Sequence, residues 1–240
     1  AWRDQARALG YTVVDPSTAI ATHMNKVLRE SAHELLSHDE VQKLLDKLAA
    51  KSPKLVEELV PGKLSLGVVT RTLQNLLQES VPIRDMRTVV EALTEVSSRT
   101  QDPDQLAQLV RPKLGRMIVQ GLLDNRDTLM VLTLDPHLEQ LLHNVLQQNN
   151  GLSGMVLEPS LAESLFAALR ESARNTEEQG FPAVLVVSPA IRPWMSKAVR
   201  FRVSELTVMS YSEIPDDQPV KVINTVQAEP RNNNPSVTKA

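Results

Sequence analysis

Leu129-Met130-Val131-Leu132-Thr133-Leu134-Asp135-Pro136 is a short apolar run closed by a helix-start signal. A run of that length bounded by a turn signal reads as a buried strand. Asp before Pro then starts a helix. The carboxylate accepts from orphan backbone N–H groups, and Pro in the first turn lacks a donor that would be orphaned anyway. Leu138, Leu141, Leu142 and Val145 follow at helical spacing. The same grammar repeats downstream. Leu161, Leu165, Ala168 and Leu169 mark a helix, and Ala183–Val187 a strand. Ser188-Pro189 leads into a helix carrying Ile191, Trp194, Met195, Ala198 and Val199, and Leu206–Tyr211 and Val220–Val226 are two more strands. Strands alternating with helices predict an α/β layer with helices packed on a sheet.

Upstream the pattern is helical and sharply punctuated. Ser37 and Glu40 have capping-box spacing and open a helix with Val41, Leu44, Leu45 and Leu48 inward. Ser52-Pro53 starts the next helix, which Pro61-Gly62 ends. Leu66, Val69, Leu73, Leu76 and Leu77 form a stripe that stops before Val81-Pro82. Asp85 caps a helix with Met86, Val89, Val90 and Leu93 inward, and Asp102-Pro103 starts one with Leu106, Leu109 and Val110 inward. Pro112 should kink the chain there. Further upstream, Tyr11-Thr12-Val13-Val14 reads as a strand and Asp15-Pro16-Ser17 as a turn and helix start. Ile20, Met24, Val27, Leu28 and Leu35 then predict the inward stripe of one amphipathic helix. The expected fold is α+β and multidomain, with a strand–helix piece at 1–36, an all-helical part at 37–115, an α/β layer at 116–227 and a disordered tail at 228–240. The polar stretch Leu123-Asp124-Asn125-Arg126-Asp127 is the expected joint between cooperative units.

Composition narrows the function. Twenty-six Lys and Arg against 29 Asp and Glu leave a net charge of -3, without the basic footprint that phosphate binding needs, so nucleic acid is not an expected partner. Cys is absent, which removes disulfides, thiolate metal sites and cysteine nucleophiles. Three Phe, two Tyr and two Trp are too few for a stacking platform. The chain starts at Ala1 inside a helical pattern and without a signal peptide, and reads as a piece of a longer protein. Its apolar runs are strand-sized, so this piece is expected to be soluble.

Motifs that carry chemistry are incomplete. His33-Glu34 opens like a zinc-protease helix, but Ser37 stands where the second His belongs, and His38 is turned away by about 140°. Gly62 and Gly67 have P-loop spacing, with Val68 and Val69 in place of the Lys and hydroxyl residue. Gly151-Leu152-Ser153-Gly154 reads as a flexible loop. Asp102/Asp104 and Asp216/Asp217 flank prolines and read as a cap and a turn. Arg192, Lys197, Arg200 and Arg202 form a basic cluster that could meet an acidic partner or phosphate, and otherwise reads as a solvated helix face. No catalytic residue, cofactor site or metal site is predicted. The residues alone describe a two-part interaction module.

Leu59-Val60-Pro61-Gly62, Leu73-Gln74-Asn75-Leu76-Leu77 and above all Val81-Pro82-Ile83-Arg84-Asp85-Met86-Arg87-Thr88 resemble the large export-gate family of flagellar type III secretion and its injectisome relatives. The likeness includes Gly10-Tyr11-Thr12-Val13-Val14-Asp15, Ala21-Thr22-His23-Met24-Asn25, Leu185-Val186-Val187-Ser188-Pro189-Ala190-Ile191-Arg192-Pro193 and Ser210-Tyr211-Ser212-Glu213-Ile214-Pro215-Asp216-Asp217. It is collinear to about Gln227. The resemblance implies a membrane-embedded protein at the bacterial inner membrane whose cytoplasmic half has four subdomains and forms a ring, nonameric in the full protein. Residues 1–36 would close the first subdomain, 37–115 would be the third, and 116–227 the fourth.

What the resemblance implies for function is docking of export chaperones that carry late flagellar substrates, with transport driven by proton motive force. Further implied partners are the ATPase complex and the export switch protein. The chaperone groove would be lined by Val14, Ala19 and Thr22, with Ala19 standing where flagellar members usually carry a larger aliphatic residue. The bland alternative for these three is a strand end and helix start packed internally. Arg84, Asp85 and Arg87 are candidates for a subunit interface or, alternatively, internal caps and ion pairs. Two other readings of the whole chain are an injectisome homologue and an α/β ligand-binding domain or enzyme.

Overall fold

Asp15 begins the first helix, accepting from the Thr18 backbone N–H at 2.9 Å and the Thr18 hydroxyl at 2.8 Å. The computed structural model describes residues 2, 5, 9, 13–123, 126–148 and 157–228, and its contacts divide the chain into two units, Ala1–Ala107 and Gln108–Ala240. Tyr11 and Thr12 lie outside the described residues, while Val13 and Val14 have no regular structure. Likewise Asp124 and Asn125 of the expected joint, Gly151 to Gly154 of the expected loop, and residues 229–240 of the expected tail lie outside them.

In the first unit, α1 (Pro16–Glu30) ends at Ser31, and α2 (Ala32–Leu35) is a separate short turn of helix rather than its continuation. The Ser37–Glu40 capping box opens α3 (His38–Ala49). Next come α4 (Pro53–Leu59), α5 (Leu66–Gln78) and α6 (Met86–Val96). Their apolar stripes converge. Val41, Leu45, Leu59, Val69, Leu73, Leu76, Val89, Val90 and Leu93 are fully buried. The turn after α4 brings the backbone so close that a Cβ on Gly62 would lie 2.5 Å from the Glu58 carbonyl oxygen. Only a residue without one fits.

The stripe of α1 behaves differently from its expectation. Ile20, Met24, Val27, Leu28 and Leu35 are 43–64% exposed, not inward. The spacing correctly reports one apolar face, but periodicity does not say what surface covers it. Among the described residues none buries it.

The division between units falls inside α7 (Pro103–Val110), upstream of the expected 115/116. Pro112 then sits in a 3-10 turn, Arg111–Leu114, before α8 (Gly115–Leu123). Pro cannot donate to the α-helical ladder, which accounts for the interruption. The rest of the second unit runs β1 (Leu129–Leu134), α9 (Pro136–Gln148), α10 (Pro159–Glu178), β2 (Val184–Val187), α11 (Arg192–Val199), β3 (Thr207–Ser210) and β4 (Val220–Val226).

The four strands form one sheet in the order β3-β2-β1-β4, with every pair parallel. A parallel sheet needs crossovers and cover, and the helices supply both. Leu132, Leu134, Leu185, Val187 and Val208 pack with Leu142, Leu165, Leu169, Ile191 and Met195 from the helices in one core. β2 is buried along its whole length, whereas the edge strand β4 is buried only at Val226. Among the described residues no helix is long and apolar enough to cross a membrane.

Candidate functional site

Val14, Ala19 and Thr22 are all exposed, Val14 by 53%. At about 100° per residue, Thr22 lies about 200° from Ile20 and about 60° from Ala19. Ala19 and Thr22 therefore share a face of α1 one turn apart, away from the apolar stripe, and Val14 leads into the same helix start. The expectation of internal packing for these three does not hold. Asp15 fixes this start. Hydrogen bonds from the Ser17 hydroxyl, the Thr18 backbone and the Thr18 hydroxyl hold its carboxyl far below the usual carboxylate range. A depressed carboxylate contributes its stabilisation above the unfolded pKa and loses it only as pH falls through the folded one. The cap thus stays ionised through neutral and mildly acidic pH. What the face presents is a methyl, an isopropyl and a hydroxyl-bearing side chain, a small and largely apolar surface suited to packing.

Asp85 and Arg87 have local partners. Asp85 caps α6, accepting from the Thr88 backbone at 3.2 Å and the Thr88 hydroxyl at 2.7 Å, and these bonds, the hydroxyl's first, lower its pKa. Arg87 Nε pairs with Glu91 Oε1 at 2.8 Å, one turn along the exposed face. Arg84 is exposed just before the cap. Asp85→Ala should cost about 1 kcal/mol, the ordinary value of an N-cap. Urea denaturation checks this. The same comparison at falling pH should show the parent's advantage shrinking as pH drops through the folded pKa of Asp85, which lies below the ordinary carboxylate value.

The second unit carries a charged cluster that the sequence reading did not assemble. Glu213, 2% exposed, accepts from Arg111 Nη2 at 2.7 Å and from the Ser210 hydroxyl at 3.0 Å. Arg192, equally buried, brings its Nε within 3.6 Å of the other face of the carboxylate and also bonds Gln108. Arg192 is therefore not part of a solvated basic face. Burying a guanidinium is tolerated only with a charged partner and satisfied donors, and Glu213 supplies the charge. A partial signal is present: Arg192 stands between Ile191 and Pro193, an apolar context, and Glu213 precedes Ile214-Pro215.

Nearby, Glu139 at the start of α9 accepts from the Ser188 backbone at 2.6 Å and the Tyr211 hydroxyl at 3.3 Å. Burial, and then the Glu139 charge, push the Tyr211 phenol up. Arg116 bonds both oxygens of Asp217, at 3.1 and 2.9 Å. Residues 188–193 and 210–217 thus meet through the Arg192–Glu213 pair and through Glu139, while Arg111 and Arg116 fasten the 111–114 turn and α8 to the 210–217 segment. Here ion pairs serve position, not chemistry.

In the first unit a polar cleft of about 290 Å³ is lined by His33, Glu34, Arg71, Gln74, Asn75 and Gln78. Its lining lacks the apolar walls that hold small organic ligands. Among the described residues no group of three or more His, Asp or Glu side chains is placed to hold a metal ion.

The profile of the FHIPEP family matches residues 1–219. The chain is 42% identical over 226 residues to the flagellar biosynthesis protein FlhA of Escherichia coli K12, covering 94% of this chain and 32% of that protein. It therefore spans about a third of the length of the curated relatives it matches. Among solved structures it is similar to nonameric SctV-C of EPEC, with TM-score 0.75, 27% identity, and coverage of 87% of this chain and 62% of that one. The fold is also that of CdsV in the complex of Chlamydia pneumoniae CdsV and CdsO, with TM-score 0.79, 24% identity, and coverage of 94% and 66%.

Proposed function

Because this chain belongs to the FHIPEP family, we propose that it is part of the cytoplasmic region of a flagellar type III export gate, docking chaperones that carry late substrates. The observation that carries this reading is the 42% identity to FlhA over 94% of the chain. The 42% identity to a flagellar protein against 27% to SctV-C favours the flagellar over the injectisome use. Its work is binding and ordering, not catalysis. The whole protein would sit in the bacterial inner membrane with this part on the cytoplasmic side. The nonameric SctV-C supports a ring, and in this reading Arg84 and Arg87 would lie at its subunit contacts while Asp85 holds the start of α6. CdsV forms a complex with CdsO, and in this reading the further partners of the whole protein would be the ATPase complex and the export switch protein.

In this reading Val14, Ala19 and Thr22 form one wall of the chaperone site. Exposed residues away from core and cap tolerate substitution within about 0.5 kcal/mol, whereas a central interface contact costs about 1–2 kcal/mol or more. Thr22→Asp in the complete cytoplasmic region should therefore keep the parent melting temperature and weaken binding of loaded chaperone about tenfold, equivalent to about 1.4 kcal/mol. Calorimetric titration against a chaperone–substrate complex measures this. Unchanged affinity in a folded variant would remove Thr22 from the site and leave the family assignment standing.

A further inference from the structure

Phe201 is 89% exposed in the turn between α11 and β3, flanked by Arg200 and Arg202. Single exposed aliphatic residues are ordinary on protein surfaces, but an aromatic ring presented almost whole, with an arginine on either side of it along the chain, is a recognition feature. With Arg192 buried on Glu213, the basic residues left here are Lys197 and Arg202, both exposed, and the half-buried Arg200. The turn is rigidly made. Arg202 N–H and Val203 N–H both donate to the Val199 carbonyl, at 2.9 and 2.7 Å, and Arg200 N–H donates to the Ser196 carbonyl at 3.3 Å. Arg202 stacks its guanidinium 4.4 Å above the Phe166 ring, while Arg170 Nη2 reaches the Arg202 carbonyl at 3.4 Å. The backbone of the turn and the Arg202 guanidinium are thus held in place before a partner arrives, which lowers the ordering cost of binding.

We propose that this knob is a docking surface for an acidic protein segment, with Phe201 entering an apolar pocket of the partner and Arg200 and Arg202 pairing with carboxylates around it. Charge complementarity selects the partner's sign. Planar guanidinium groups match carboxylates bidentately, and a stacked one holds its N–H edges fixed for that purpose. Nucleic acid is the weaker fit, because binding it without sequence preference takes successive aromatic rings along a basic groove and here there is one ring. Glu205, bonded by the Ser204 hydroxyl at 2.9 Å, sets the acidic limit of the patch along the chain. The surface belongs to the second unit and Val14, Ala19 and Thr22 to the first, and the proposal does not depend on the chaperone reading.

The test places the photoreactive analogue p-benzoylphenylalanine at position 201 of the full-length protein in its own cell. After irradiation the adduct is purified under denaturing conditions and the linked peptide sequenced. A protein adduct whose linked segment carries an excess of Asp and Glu is expected. Arg200→Glu should reduce its yield about tenfold, the scale of one hot-spot contact, without lowering the melting temperature. A linked segment that is neutral or basic, a lipid adduct, an adduct to another copy of the same protein, no adduct, or a yield indifferent to Arg200→Glu would each overturn the proposal.

Discussion

Glu213→Ala should destabilise the second unit by about 3–5 kcal/mol, the cost of leaving a buried partner charge uncompensated. The carboxylate is almost fully buried, with Arg111 and Arg192 on its two oxygens. Deleting it takes the carboxylate away from two guanidinium groups that are themselves about 2% exposed. Urea unfolding followed through Trp194, in the neighbouring helix α11, reads the unit that contains the cluster. A loss below about 1 kcal/mol would mean that the three charges are solvated in solution and that the cluster does not fasten residues 108–123 to the sheet. The triple replacement of Arg111, Arg192 and Glu213 by apolar residues of similar size should recover much of the loss. Removing all the charges together leaves no ion unpaired.

Gly115→Ala is the second large effect, and its sign runs against helix propensity. In an exposed helix interior, Ala is better than Gly by about 1 kcal/mol. At Gly115, however, a Cβ would sit 2.1 Å from the Glu213 backbone oxygen and 3.0 Å from its carbonyl carbon, so α8 must move off the 210–213 segment. The expected cost is about 3 kcal/mol, at the upper end of overpacking in a filled interior. Gly121, in the same helix, has nothing within 4 Å of the corresponding Cβ. Gly121→Ala should therefore be neutral or stabilising by up to about 1 kcal/mol. The pair is measured side by side by thermal and urea denaturation. Equal effects at the two glycines would show that backbone propensity decides both and that the close approach is absent.

Legibility of the sequence followed the locality of the physics. β1 and its Asp135-Pro136 stop were readable because strand, cap and helix start are all encoded within a few residues. So were the Ser37–Glu40 box, the Asp85 cap and the break at Pro112, each a backbone donor problem solved by a neighbour. The order β3-β2-β1-β4 was not readable, since it depends on crossovers between distant segments. Nor was the fate of the apolar stripe at Ile20, Met24, Val27 and Leu28: amphipathicity names a face but not its cover. Arg192 was misplaced for a related reason. Adjacent Lys and Arg residues suggest a common solvated face, whereas its partner Glu213 is reached only through the folded sheet. The candidate docking residues came from the family resemblance. What the structure adds is that Ala19 and Thr22 share an exposed helix face behind the Asp15 cap.

Export itself is the most direct readout of the proposed gate. In the source bacterium, the chromosomal gene is replaced by one lacking the codons for residues 14–228 of this chain, membrane accumulation of the shortened product is verified, and flagellar subunits in the culture medium are quantified against those retained in the cells. The export-gate reading predicts that subunits disappear from the medium and accumulate inside, and that supplying the intact gene in trans restores secretion. Flagellar subunits still appearing in the medium at the parental level would contradict it.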